Sequence, residues 1–91
     1  MRICSASLHV FVLAVALLSW QDNANNETGF LIERSRGLTA PFVGIATLPA
    51  NTQTYWDWQV KRRRTYCYRV YAWNAAGYSG PSNTACLTVP K

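Results

Sequence analysis

The feature that most constrains this chain is the rhythm of its apolar residues. Beyond Trp20, short runs of β-branched and aromatic side chains are broken roughly every eight to twelve residues by Asn, Gly and Pro. A helix would need apolar positions recurring with a period of about 3.6, and no such period is sustained there. Runs that alternate instead show every second side chain to one face, so several of them must share an interior between two layers of extended backbone. The expected class is all-β, a sandwich of two sheets.

The runs can be placed individually. Ala16-Leu17-Leu18-Ser19-Trp20 reads as a core strand, and Asp22 to Asn26 as a turn cluster. Gly29 to Arg34 follows as a half-buried strand, with Phe30 and Ile32 pointing one way and Leu31 and Glu33 the other. Gly37 and Pro41 mark a loop from Ser35 to Pro41, and Phe42 to Leu48 is the next strand, ended by Pro49-Ala50-Asn51. Thr54-Tyr55-Trp56 is a short strand. In Thr65 to Trp73, Tyr66, Tyr68, Val70 and Ala72 share the core face, while Cys67, Arg69, Tyr71 and Trp73 share the other. A loop from Asn74 to Pro81 leads to a last strand, Asn83 to Val89, with Ala85, Leu87 and Val89 inward and Cys86 outward.

The three cysteines, Cys4, Cys67 and Cys86, allow at most one bridge within the chain, and Cys4 is the spare. If the two final strands form an antiparallel hairpin with Cys67 opposite Cys86, Tyr71 falls opposite Ser82 and both sulfurs lie on the outer face. A disulfide between Cys67 and Cys86 is therefore expected, two free thiols being the alternative. No cysteine pair has metal-site spacing and only His9 could supply an imidazole, so neither a metal nor another cofactor is expected.

Leu8 to Leu18 is apolar apart from His9, Arg2 precedes it, and Ala14-Val15-Ala16 supplies small residues suited to a signal peptidase. Residues 1–15 thus read as a signal-like lead, with a membrane anchor as second choice, and residues 16–90 as the domain. Cleavage after Ala16 would cut into the first core strand, so a second reading makes the lead a replacement for a first strand that is not otherwise recognisable.

Leu18-Ser19-Trp20-Gln21-Asp22-Asn23, Asn26 to Ser35, Tyr66-Cys67-Tyr68-Arg69-Val70 and Asn74-Ala75-Ala76-Gly77 resemble, in order and spacing, bacterial-type fibronectin type III domains. The resemblance runs from about Ala16 to Val89 and implies a fibronectin type III or immunoglobulin-like β-sandwich with Greek-key connections. It makes Trp20 the core tryptophan of the second strand and Tyr66 the corner tyrosine whose hydroxyl caps backbone near Val60. Trp20, Phe30, Ile32, Tyr66, Tyr68 and Val70 form the core signature. An immunoglobulin domain would place a cysteine on the second strand and its tryptophan on the third, which this chain does not. The sequence departs from the family twice: the first strand is unrecognised, and Lys61 to Arg64 replaces the small glycine-containing turn before the corner tyrosine.

The carboxylates are Asp22, Glu27, Glu33 and Asp57, and no phosphate-cradling glycine loop or nucleophile elbow accompanies them, so no enzyme is expected. The resemblance implies an adhesion, receptor or spacer module, secreted or at the cell surface, whose partner is another protein or neighbouring domains of a longer chain. Tyr78 is a candidate contact residue at one end. Lys61, Arg62, Arg63 and Arg64 supply most of the net charge of +5 and with Arg36 form a basic pole at the other. That pole supports an alternative, a module binding acidic glycan or an anionic surface. Nucleic acid is not an expected partner, because the basic residues are not spread over a face, and a membrane is met only through the lead. Trp56, Trp58, Tyr71 and Trp73 are expected off the core face, packed on one another or on Arg69, the alternative being rings free to stack on sugars or fill a partner's pocket. Asn26-Glu27-Thr28 is a glycosylation sequon.

Overall fold

The computed structural model describes residues 9–12, 15–20, 27–80 and 82–90. Cys4, the Asp22 to Asn26 cluster with the sequon asparagine, and Pro81 lie outside the described residues. Among the described residues eight strands occur: β1 (His9–Val12), β2 (Ala16–Ser19), β3 (Gly29–Ser35), β4 (Val43–Pro49), β5 (Thr54–Asp57), β6 (Thr65–Asn74), β7 (Gly77–Tyr78) and β8 (Ala85–Thr88). They form one sheet in the order β1-β2-β5 and another in the order β4-β3-β6-β7, with β8 also paired to β6. All pairings are antiparallel. The chain changes sheet between β2 and β3, between β4 and β5, and again between β5 and β6, which is the Greek-key connectivity of a sandwich.

Alternation sets the interior. Ala16, Leu18 and Trp20 from the first sheet meet Phe30, Ile32, Tyr66, Tyr68, Val70, Ala72, Leu87 and Val89 from the second. Trp20 packs edge-on against Phe30, with ring centroids 5.8 Å apart. The expected strand over residues 42–48 begins one residue later and includes Pro49, which ends it where β3 also begins.

Part of the apolar lead, His9 to Val12, is a strand in this fold. His9 to Val12 pairs with Ser19 to Ala16, and β1 also lies against β8, so it borders both sheets. The backbone of these residues therefore sits where the sandwich needs an edge strand, beside Ala16 and Leu18, both fully buried.

The final hairpin differs from the expected one. Continuing the Cys67↔Cys86 register along the strand would set Trp73 opposite Gly80, but Trp73 faces Tyr78 and Asn74 faces Gly77. The turn is accordingly tight. Asn74 Oδ1 accepts a hydrogen bond from Ala76 N at 2.8 Å, and Gly77 takes φ 130°, which a side chain would resist. The expected loop from Asn74 to Pro81 is thus partly strand, and the last strand shortens to Ala85–Thr88. Serines hold the offset stretch between β7 and β8. Ser79 N and Ser82 N donate to the carbonyls of Ala72 and Val70, each at 2.8 Å. In return the Ser79 hydroxyl accepts from Ala72 N at 3.0 Å and the Ser82 hydroxyl from Val70 N at 2.9 Å. Inward-facing β6 thereby keeps its amides satisfied where the neighbouring backbone drifts out of register.

Cys67 and Cys86 are directly opposed across β6 and β8 and form a disulfide, with Cα atoms 4.0 Å apart. They are 19 residues apart in sequence, so closing that loop stabilises the fold by about 3 kcal/mol on the chain-entropy model.

Ser82→Ala leaves the buried Val70 amide without its acceptor and is expected to lower unfolding free energy by about 1–3 kcal/mol in urea titrations. Thr84→Ala, at an exposed nearby position, serves as the control; equal effects of the two would contradict the serine's role.

Candidate functional site

At the end of β3 the inward parity that buries Phe30 and Ile32 continues to Arg34, which faces Tyr68 of β6 directly across the ladder. Opposite them, at the end of β5, lies Asp57. Arg34 Nη1 donates to Asp57 Oδ2 at 2.8 Å and the Tyr68 hydroxyl donates to the same oxygen at 2.7 Å, while Gln59 N donates to Oδ1 at 3.0 Å. The Arg34 and Asp57 side chains are only 8% and 3% exposed. Arg34 also lies over the Tyr66 ring, 5.5 Å from its centroid.

This trio ties the two sheets together from inside. Burial by itself favours loss of the Arg34 proton, but the hydrogen bond and charge of Asp57, reinforced by Tyr68 and Tyr66, outweigh it and raise its pKa. Burial pushes the Tyr68 hydroxyl well above the ordinary phenol range, and the bond to Asp57 and its charge push it further. The Asp57 carboxylate is thus filled on both oxygens by protein donors, an arrangement for clamping rather than for proton transfer.

Just outside the clamp is the basic pole. Lys61 N donates to the Tyr66 hydroxyl at 2.9 Å, which fixes the turn entering β6. Arg64 N donates to Lys61 O at 3.3 Å, Arg63 N to Val89 O at 2.8 Å and Val89 N to Arg64 O at 2.9 Å. Arg63 has φ 66°, the left-handed region that favours Gly. Holding an arginine there costs roughly 1 kcal/mol.

The turn does not stand alone. Arg36, Lys61, Arg63 and Arg64 share the walls of one cleft with Tyr66 and Gln59, with a volume of about 320 Å³. Arg62 is exposed and does not line it. Arg36 is also a wall of an adjoining recess of about 270 Å³ lined by Ala40, Pro41, Val43 and Ile45, with Arg34 at its base.

Tyr78 is elsewhere. It lies on β7, not in a loop, is 65% exposed, and meets Tyr71 edge-on with centroids 6.2 Å apart. Beside it on the outer face of the second sheet, Glu33 and Arg69 face each other in the β3–β6 register and form an ion pair at 2.6 Å. Arg69 in turn sits 4.0 Å from the Phe42 ring centroid and 5.4 Å from that of Tyr71. Trp56 and Trp58 stack on each other with centroids 6.2 Å apart, on the outer side of β5. The structure therefore brings Arg36 and three of the four basic-turn residues together and leaves Tyr78 on a separate surface. No group of His, Cys, Asp and Glu suited to a metal occurs among the described residues.

The buried clamp escaped the reading of the sequence, which treated Asp57 only as a possible catalytic carboxylate. The signal was present in Arg34, which shares its parity with Phe30 and Ile32.

No protein-family model matches the chain, and no curated protein matches it by sequence. Solved structures do. An Fn3-like protein from Clostridium thermocellum is 26% identical with a TM-score of 0.78, covering 93% of this chain and 90% of that one. A structure described as a myokine is 20% identical with a TM-score of 0.74, covering 99% of this chain and 97% of that one. The twitchin kinase region from C. elegans is 21% identical with a TM-score of 0.76 over 88% of this chain, which spans only 15% of that region's length. The chain has the fibronectin type III fold.

Asp57→Asn removes the charge that compensates buried Arg34 and is expected to destabilise the domain by about 3–5 kcal/mol in urea unfolding. A loss below about 1 kcal/mol would mean that the clamp is solvated in solution.

Proposed function

We propose that this chain is a noncatalytic, extracytoplasmic interaction or spacer module of the fibronectin type III type. The observation that carries the reading is how its carboxylates are used. Asp57 is locked to Arg34 and Tyr68, and Glu33 to Arg69, so these two acids serve to hold strands together. What faces solvent is a set of contact surfaces on a small stapled scaffold. The matches to a whole Fn3-like protein and to a small part of the much longer twitchin region fit a unit used alone or in tandem. The Cys67–Cys86 bridge supports an oxidising compartment, where such bonds persist.

Intact-mass analysis with N-terminal sequencing tests the location. The exported full chain is expected to lack the two thiol hydrogens of Cys67 and Cys86, and the first residue found will show whether β1 is retained or removed with the lead. Both thiols free to alkylation in the exported product would count against an extracytoplasmic module.

A second reading, attachment to acidic glycan or another anionic surface, draws on the cleft that joins Arg36 to the Lys61–Arg64 turn. It predicts retention on heparin that weakens as salt rises. If neutralising Lys61 to Arg64 leaves elution unchanged, this reading is abandoned.

A further inference from the structure

We infer that the basic end of the sandwich docks an extended acidic segment of a partner protein, one that places an apolar side chain beside its carboxylates. The inference rests on the interaction-module reading and names the partner's chemistry. Its first support is the pairing of two unlike recesses on either side of Arg36. One is walled by Arg36, Lys61, Arg63 and Arg64, the other by Ala40, Pro41, Val43 and Ile45. A ligand filling both must be anionic and apolar within a few ångströms, as neighbouring side chains of a polypeptide are.

Charge is the second support. Among the described residues, Asp57 and Glu33 are paired to Arg34 and Arg69, and Glu27 accepts from Asn51 N at the opposite end of the sandwich. The cations of the cleft thus have no ion-pair partner among the described residues. Three of the four are guanidinium groups, whose planar fork matches a carboxylate in bidentate fashion. Arg63 keeps its place there despite a backbone conformation that glycine would occupy without strain, a pattern found where a side chain is retained for contact.

Exposed apolar side chains choose between partners. Val43, which lines the recess shared with Arg36, is 61% exposed, and Leu38, two residues beyond Arg36 in the chain, is 78% exposed. A polyanionic glycan offers only the C–H faces of its rings to cover them, less apolar area than an aliphatic side chain seated in the recess. A bilayer presents a flat surface, whereas Val43 lines a concave recess. The segment is extended because β4 begins at this recess and is the outer strand of its sheet, leaving a backbone edge to which another strand can add.

The test uses the oxidised full chain and fluorescence anisotropy with three short peptides: one alternating Asp with Leu, one with Asn for Asp, and one with Gly for Leu. The Asp/Leu peptide is expected to bind, and each counterpart to bind at least roughly tenfold more weakly. Arg36→Ala should weaken the Asp/Leu complex about tenfold, while Arg62→Ala, an equal loss of charge outside the cleft, should change it less than about twofold. Val43→Asn should weaken the Asp/Leu peptide but not the Asp/Gly one. Arg63→Gly should reduce binding with a thermal midpoint no lower than that of the parent, so lost folding cannot explain the loss.

Equal effects of Arg36→Ala and Arg62→Ala, or equal affinity for the Asp/Gly peptide, would reduce the site to diffuse charge attraction and overturn the inference. So would failure of the Asp/Leu peptide to bind, or tighter binding of a heparin fragment or of phosphatidylserine vesicles through the same residues. None of these outcomes touches the thiol state and N-terminus of the exported chain, by which the underlying module reading stands or falls.

Discussion

Strand β6 is hydrogen-bonded on both sides, to β3 along one edge and to β7 and β8 along the other. A strand in that position must find partners for every backbone amide and carbonyl while turning one face wholly into the core. The rest of the structure follows from meeting that demand. Its inner side chains, Tyr66, Tyr68, Val70 and Ala72, form the floor of the core. Where β8 falls out of register, serine hydroxyls take the place of carbonyls; where the partner strand is aligned, Cys67 and Cys86 close the disulfide. The corner tyrosine at the start of the strand fixes the turn that enters it.

The polar contacts of β6 also fix the end of the sandwich at which the basic residues lie. Tyr68 faces Arg34, and both converge on Asp57 from the other sheet, so that end is pinned across the sandwich by a buried charge pair. A buried pair of this kind adds little net stability compared with apolar packing, but it strongly disfavours any arrangement that separates the two sheets. The loops on either side of the clamp carry Arg36 and the Lys61–Arg64 turn, and a rigid base holds their cations in one place with no neutralising carboxylate among the described residues. At the opposite end and on the outer faces, aromatic rings are mostly occupied with one another or with Arg69.

Several parts of this arrangement were legible from residue order. The parity of Tyr66 through Ala72 and of Phe30 and Ile32 assigns their faces without any knowledge of neighbours, because a strand leaves no other choice. The matched parity of Cys67 and Cys86 likewise pointed to their bridge. The tight turn at Asn74–Gly77 and the split last strand were not legible: a two-residue offset between β7 and β8 depends on serine side chains replacing backbone bonds, and no local pattern announces that exchange. The first strand was hidden for a different reason. An apolar run suited to an export signal and one suited to an edge strand have the same composition, and the pairing of His9–Val12 with Ala16–Ser19 depends on a neighbour that composition does not announce.

By itself the sequence determined the period of side-chain alternation, and with it an all-β sandwich, the identity of most core residues and the presence of a basic turn. These are local properties, set by neighbours in the chain. Tertiary structure alone decided that Arg34 and Asp57, 23 residues apart, meet in the interior, that Arg36 closes the cleft facing the turn, and that Tyr78 stands apart from both. Those outcomes depend on which strands lie side by side and in what register, and hydrophobic alternation, being the same for every pairing that buries the same faces, does not encode that choice.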